Sequence, residues 1–312
     1  MTGNEIDLIK LNFDPTALKV INIIIGFIMF GVALDIKVGD FVEAFRKPKA
    51  PAIGLICQFL LLPAISFGII SIFNPPPSIS LGVLLIASCP GGNMSNFLTS
   101  FSGGNSAISI IMSSTSTVFS VIMTPLNFTF WANMRPDTAK ILQSIHIDPL
   151  SIFFTVLTIL IIPTILGMTI NYRFPVFTKK VKPTLNKAAF IVFIGFILGA
   201  IFKNADNFKI AIGHAFFIVL VTNALALLMG YYMAKFWGLD VADRKAVSFE
   251  IGIQNAAFSL ILVFNFFDGL GGMAIICAWY GVWHAVTGLS LSCYWHKRDH
   301  ITRKKNITIS PI

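Results

Sequence analysis

The sequence predicts an all-α, polytopic membrane protein. Three observations carry that expectation: its composition, the length of its apolar runs and the placement of its basic residues. Of 312 residues, 55% are hydrophobic and 12% charged, and the mean hydropathy is +0.80. Soluble domains have about 45–50% apolar and about 25% charged residues, so a soluble enzyme is excluded. The four cysteines, Cys57, Cys89, Cys277 and Cys293, lie in apolar stretches without Cys-x-x-Cys spacing, which argues against a disulfide scaffold and against zinc. A net charge of +9 does not point to nucleic acid, because the basic residues sit between apolar segments and not on one soluble face.

A membrane helix needs about 20 mostly apolar residues. Nine segments qualify: 16–34, 50–73, 78–102, 105–131, 149–170, 187–203, 210–236, 244–267 and 272–294. Their connectors carry breakers such as Asn74-Pro75-Pro76-Pro77, Gly103-Gly104, Arg135-Pro136-Asp137 and Gly269-Leu270-Gly271-Gly272. An odd number of spans puts the termini on opposite sides. Lys10, Lys19, Arg135, Lys140, Lys203 and Lys209 fall on one side, and the other seventeen of the 23 basic residues on the opposite one. The positive-inside rule makes the richer side cytoplasmic, with the N-terminus outside a plasma or bacterial inner membrane.

At the start of the chain, Glu5, Asp7 and Asp14 surround Lys10. That is not the basic opening of a signal peptide, so the first apolar segment is expected to be retained. Residues 1–15 carry Ile6, Leu8, Ile9, Leu11 and Phe13 among polar neighbours; they fit either a short interfacial segment or a frayed tail. Residues 295–312 read as a basic cytoplasmic tail near anionic headgroups.

Two spans differ from the rest. The third is apolar from Leu81 to Cys89 and then meets Pro90-Gly91-Gly92-Asn93-Met94-Ser95-Asn96. Proline removes a donor and the glycines relax the backbone, so the helix is expected to break there. Irregular backbone at that depth is tolerated only where it is buried in protein or lines a wet cavity. The eighth contains Glu250-Ile251-Gly252-Ile253-Gln254-Asn255, the most polar run in any span. An ionisable group inside a span marks an ion or substrate path; the alternative places Glu250 at a cytoplasmic helix end beside Arg244 and Lys245.

Paired breaks in two halves of a chain point to an inverted-repeat transporter with a site near the midplane. Residues 149–294 make a full repeat of five spans. Residues 16–131, with four spans, lack an opening helix, and 132–148 form an extracytoplasmic connector. The oxygen donors near the breaks suit a hard monovalent cation better than a transition metal. They are the Glu250 carboxylate, the amides of Gln58, Asn96 and Gln254, the hydroxyls of Ser95, Ser109 and Ser113, and the freed carbonyls. Most membrane serines bond back to their own helix, but Ser109 and Ser113 are four residues apart and share a helix face. One carboxylate shared by two cations leaves a positive charge that an anionic substrate can neutralise.

These residues resemble the bile acid:sodium symporter family in its nine-span form. The likeness runs from Phe13 to about His296 through Met29-Phe30-Gly31, Gln58-Phe59 with Pro63, Pro90-Gly91-Gly92 before Ser95-Asn96, Glu250-x-Gly252-x-Gln254-Asn255, and Trp283-His284 with Gly288. The resemblance implies a panel domain, and a core domain in which two broken helices cross, with two sodium ions behind the crossing. One ion would take Ser95, Asn96, Ser109, Ser113 and Glu250. The other would take Gln58, Glu250, Gln254 and the carbonyls of Ile251 and Ile253. Ser113 replaces a frequent Thr and Ile253 a Met, both without loss of the donor. The extra residue between Asn96 and Ser109 is absorbed by the Gly103-Gly104 turn.

On the substrate side the matching positions are Asn93, Asn255 and His284. Asn93 stands where several relatives have Thr, and Ala285 where Asn is usual. His284 fits either substrate contact or a bond to a neighbouring helix. The expectation is a monomeric, sodium-coupled symporter importing a small organic anion by alternating access, in contact with membrane lipid and not with nucleic acid. A sodium-independent or proton-coupled transporter of the same fold is the alternative. An intramembrane enzyme using Glu250 or His284 is the rival from another class, although the spans contain no His-x-x-x-His, Gly-x-Ser-x-Gly or Asp pair.

Overall fold

The computed structural model describes residues 26–27, 30–31, 33–34, 36–145, 149–203 and 205–309. Among them the regular structure is helical, with one isolated antiparallel bridge between Gly91 and Gln254. The expected segment 1–15 lies outside the described residues. The first span is described only at Gly26, Phe27, Phe30, Gly31, Ala33 and Leu34, where the backbone is helical up to Ala33.

A short amphipathic helix, α1 (Val38–Arg46), comes next. It is followed by α2 (Lys49–Phe73), α3 (Pro77–Ser88), α4 (Met94–Phe101) and α5 (Ser106–Asn133). Helix α6 (Pro136–Ser144) lies within the stretch read from sequence as a plain connector. Residues 149–173 form α7, with a wide turn at Leu157–Ile161. Then come α8 (Pro175–Lys203), α9 (Ala205–Phe236), α10 (Val241–Gly252), α11 (Ala256–Phe266) and α12 (Gly271–Ile309). The stretch expected to be a tail from 295 therefore begins as a continuation of the last helix.

Four described helices are long and apolar enough to cross a membrane: Lys49–Phe73, Ser106–Asn133, Ala215–Phe236 and Gly271–Ile301. The apolar helices α3 and α11 are shorter, because each is one half of an interrupted span. In both halves of the chain an interrupted span precedes a long helix: α3 and α4 before α5, α10 and α11 before α12.

Prolines and glycines explain the local departures. Pro63 has no N–H to give the carbonyl four residues back, and α2 widens into a π turn at Cys57–Leu61 just before it. The carbonyl so freed, that of Phe59, accepts the Asn127 side-chain N–H at 2.8 Å. Close helix contact in a membrane favours small residues. At Gly230 a Cβ would stand 2.9 Å from the Ser248 Cα and from the Val247 carbonyl, so α9 and α10 touch backbone to backbone. One apolar cluster joins α3, α11 and α12 around Leu84, Phe258, Met273 and Tyr280. A second joins α2, α5, α9 and α10 around Cys57, Met112, Ala226 and Val247.

Candidate functional site

The site is built on the two breaks. α3 ends at Ser88 and α4 begins at Met94; α10 ends at Gly252 and α11 begins at Ala256. The interrupted stretches cross and bond to each other: Gly92 N–H donates to the Ile253 carbonyl at 2.6 Å, and Asn255 N–H to the Pro90 carbonyl at 3.0 Å. Buried backbone groups need partners, and the other freed carbonyls find them on neighbouring helices or, for Ile251, within the break itself. Ser88 O accepts from Thr124 Oγ1 (2.7 Å), Cys89 O from Gln58 Nε2 (2.6 Å) and Ile251 O from Gln254 Nε2 (2.6 Å). Gly252 O accepts from Asn223 Nδ2 (2.8 Å) and from the Tyr280 hydroxyl (3.3 Å).

Glu250 sits in the last turn of α10 and is 1% exposed. Its Oε2 accepts from Ser95 Oγ at 2.8 Å and from Ser113 Oγ at 2.7 Å; its Oε1 accepts from Ser116 Oγ at 3.2 Å. Asn96 Oδ1 stands 3.3 Å from the Ser113 hydroxyl. A Cβ at Gly91 would overlap Oε1, so the break supplies a residue without a side chain where the carboxylate must fit.

Ser109 Oγ is fully buried and has no hydrogen-bond partner. Thr115, Thr117 and Ser120 on the same helix all bond back to their own backbone. Ser109 and Ser113 thus escape the usual fate of membrane hydroxyls. An orphaned hydroxyl one helical turn from Ser113, which itself bonds a carboxylate ringed with hydroxyls, fits a hard cation taking oxygen ligands. Among the described residues there is no group of three His, Cys, Asp or Glu able to hold a metal ion.

The second predicted set is also assembled, but turned inward. Gln58 and Gln254, both 1% exposed, form a reciprocal amide pair: each Nε2 donates to the other's Oε1, at 2.9 and 3.1 Å. The Ile251 and Ile253 carbonyls each already accept one hydrogen bond, and each keeps a second lone pair for a cation.

Asn93 and Asn255 occupy equivalent places as the residues preceding α4 and α11. The Asn255 Oδ1 caps Phe258 N–H at 3.1 Å, whereas Asn93 makes no side-chain cap. His284 is 8% exposed and its Nδ1 has no hydrogen-bond partner. It lies on α12 between Gly281, which packs on Ala256, and Gly288, which packs on Leu98 and Ile253, so this stretch of α12 packs beside the crossing. Sequence reasoning missed Ser116, Thr124, Asn223 and Tyr280. Ser116 was legible, being seven residues from Ser109 on the same face; the others serve carbonyls freed far away in sequence.

A sequence model described as the Sodium Bile acid symporter family matches residues 22–210, well over half of the chain. This chain belongs to the sodium bile acid symporter family. It is 30% identical over 278 residues to a Bacillus subtilis protein named an uncharacterized sodium-dependent transporter, YocS, covering 89% of this chain and 83% of that protein. A probable chloroplastic sodium/metabolite cotransporter of Arabidopsis thaliana, BASS1, is 30% identical over 272 residues, 86% of this chain and 65% of its own length. The human ileal sodium/bile acid cotransporter is 26% identical over 246 residues, 78% of this chain and 68% of its own. This chain therefore spans slightly less than two thirds of the plant relative. A family of sodium-dependent transporters makes the chain a multi-pass membrane transporter and sets aside the intramembrane enzyme.

Proposed function

We propose that this symporter-family chain imports a small organic anion together with two sodium ions by alternating access, as a monomer. The observation that carries the reading is the Glu250 carboxylate, buried at the crossing and held by the hydroxyls of Ser95, Ser113 and Ser116, with the orphaned Ser109 one helical turn from Ser113. One ion is assigned to Ser95, Asn96, Ser109, Ser113 and Glu250. The other is assigned to Gln58, Glu250, Gln254 and the carbonyls of Ile251 and Ile253, reached when the amide pair opens. The ions hold the two breaks together. The substrate carboxylate is assigned to the opposite face, near Asn93, Asn255 and His284, where the half-helix N-termini favour an anion.

In this reading, repeats 16–131 and 149–294 are inverted about the connector 132–148 and divide into panel and core. The N-terminus is outside and the basic C-terminus cytoplasmic. Binding on both faces of one crossing links them: sodium raises substrate affinity, and the substrate raises sodium affinity by the same factor, about 5–150-fold in typical couplings.

The test is a thermal-shift screen of small carboxylates with sodium or choline as the cation, followed by uptake into proteoliposomes. Sodium is expected to raise the melting temperature, and one carboxylate to raise it further only with sodium present. Glu250→Gln is expected to remain folded and lose both responses. A substrate that binds equally well without sodium would point to a uniporter or to proton coupling instead.

A further inference from the structure

The two breaks are served by the same device. On the first, a buried amide from α2, Gln58, donates to the Cys89 carbonyl at the end of the leading half-helix. On the second, a buried amide from α9, Asn223, donates to the Gly252 carbonyl at the corresponding end. The two amides are 165 residues apart and the two carbonyls 163. Gln58 belongs to the ion set and Asn223 does not, so the counterpart has a role still to be assigned.

Asn223 is completely buried and joins three helices. Its Nδ2 reaches Gly252 O on α10 at 2.8 Å and stands 3.4 Å from the Tyr280 hydroxyl of α12; its Oδ1 accepts from Thr287 Oγ1 of α12 at 2.6 Å. Gly252 lies between Ile251 and Ile253, whose carbonyls are two of the five members of the second ion set. Fixing one peptide plane limits the rotation of both its neighbours, because they share its flanking dihedrals. On α12, Tyr280 and Thr287 are four residues before and three after His284, so all three share a face. Leu227, one turn further along α9, packs so tightly that a Cβ on Gly252 would clash with its side chain, so α9 and the Gly252 backbone are in close contact at this level.

We propose that Asn223 is a positioning residue, oriented by Thr287 and seconded by Tyr280, which fixes the second break in the form that offers the Ile251 and Ile253 carbonyls to sodium and ties that form to the position of α12. This rests on the sodium-symport reading. Outer partners that orient metal ligands typically carry about 10–100-fold in metal affinity.

The experiment measures thermal stabilisation of the whole protein in detergent over a sodium chloride series balanced with choline chloride. In Asn223→Ala the half-stabilising sodium concentration is expected to rise about 10-fold or more, with a shallower response. Thr287→Val, which keeps the side-chain shape, is expected to move it the same way, and adding it to Asn223→Ala to change little, because Thr287 acts through Asn223. If Asn223→Ala does not fold, Thr287→Val and Tyr280→Phe decide the matter alone. A lower melting temperature without sodium, combined with an unchanged half-stabilising concentration in these variants, would reduce Asn223 to a packing residue and overturn the proposal. Absence of any sodium response in the wild-type chain would instead overturn the symport reading, and this assignment with it.

Discussion

Glu250 illustrates how a charge is kept inside a membrane protein. A buried carboxylate is costly unless it is hydrogen-bonded, and here three serine hydroxyls from two helices meet it, with no basic side chain in an ion pair with it among the described residues. Hydroxyls can donate to the carboxylate while their remaining lone pairs face a cation, which a lysine partner could not do. Ser116 Oγ stands 3.2 Å from both the second oxygen and the Ser113 carbonyl, so its one proton serves the carboxylate in competition with a bond back to its own helix. Ser116→Ala removes a hydrogen bond to a charged group, worth about 1.5–3 kcal/mol. The expected outcome is a roughly tenfold or larger rise in the sodium concentration for half-maximal uptake, restored by Ser116→Thr; a variant with wild-type sodium dependence would leave Ser116 a bystander.

At the scale of elements, the short link between α4 and α5 is clasped from two sides. The buried Lys245 Nζ donates to Ser102 O at 2.7 Å and pairs with Asp299 of α12 at 2.6 Å. Asn105 bonds both the Asp243 carboxylate and the Ala242 carbonyl of α10. Gly103 takes the left-handed conformation, φ +72°, that ends the helix. Asp243 lies outside the apolar spans, and burial pushes its carboxyl above the usual range, against the lowering effect of the Asn105 amide and with help from Asp240. Lys245→Met strands the Ser102 carbonyl. With Asp299 40% exposed, the cost is discounted for solvent screening to about 1–3 kcal/mol. A melting temperature lower by several degrees with an unchanged sodium midpoint is expected, and Lys245→Met with Asp299→Asn is expected to cost less than the two changes separately.

The same elements show what the sequence makes legible. The first break could be read because Pro90-Gly91-Gly92 is a local instruction, and the second because a polar run has no other reason to lie in a span. Helices α1 and α6 could not, being too short and polar to stand out from loops. The continuation of α12 past 295 was hidden by charges that read as a tail. The oxygen-bearing side chains proposed as ion ligands were legible by type and by spacing along one helix. Asn223, Tyr280 and Thr124 were not, since their partners are carbonyls whose release depends on a break elsewhere in the chain.

For the molecule as a whole, orientation is the first consequence to test. If, as proposed, Lys140 of α6 lies on the outer side and Lys180 of α8 on the cytoplasmic side, single cysteines at these positions are expected to react with impermeant reagents from opposite faces. A background lacking Cys293, which is exposed while Cys57, Cys89 and Cys277 are buried, keeps the readout clean. Labelling of both positions from one face would mean that the number of crossings between them is even.

The solitary acid of the crossing also determines how the protein meets the membrane potential. With two sodium ions and one monovalent anion bound as proposed, the loaded site is electrically neutral, whereas the empty site carries the single negative charge of Glu250. The interior-negative potential would then act on the return of the empty carrier, drawing its charge outward, and not on the delivery of cargo. A full crossing of one charge is worth about 2.3 kcal/mol per 100 mV. In proteoliposomes with a potassium diffusion potential imposed by valinomycin, an interior-negative potential is expected to speed net uptake and leave exchange of internal for external substrate unaltered, because exchange never returns the carrier empty. Equal acceleration of both would place the moving charge on the loaded form.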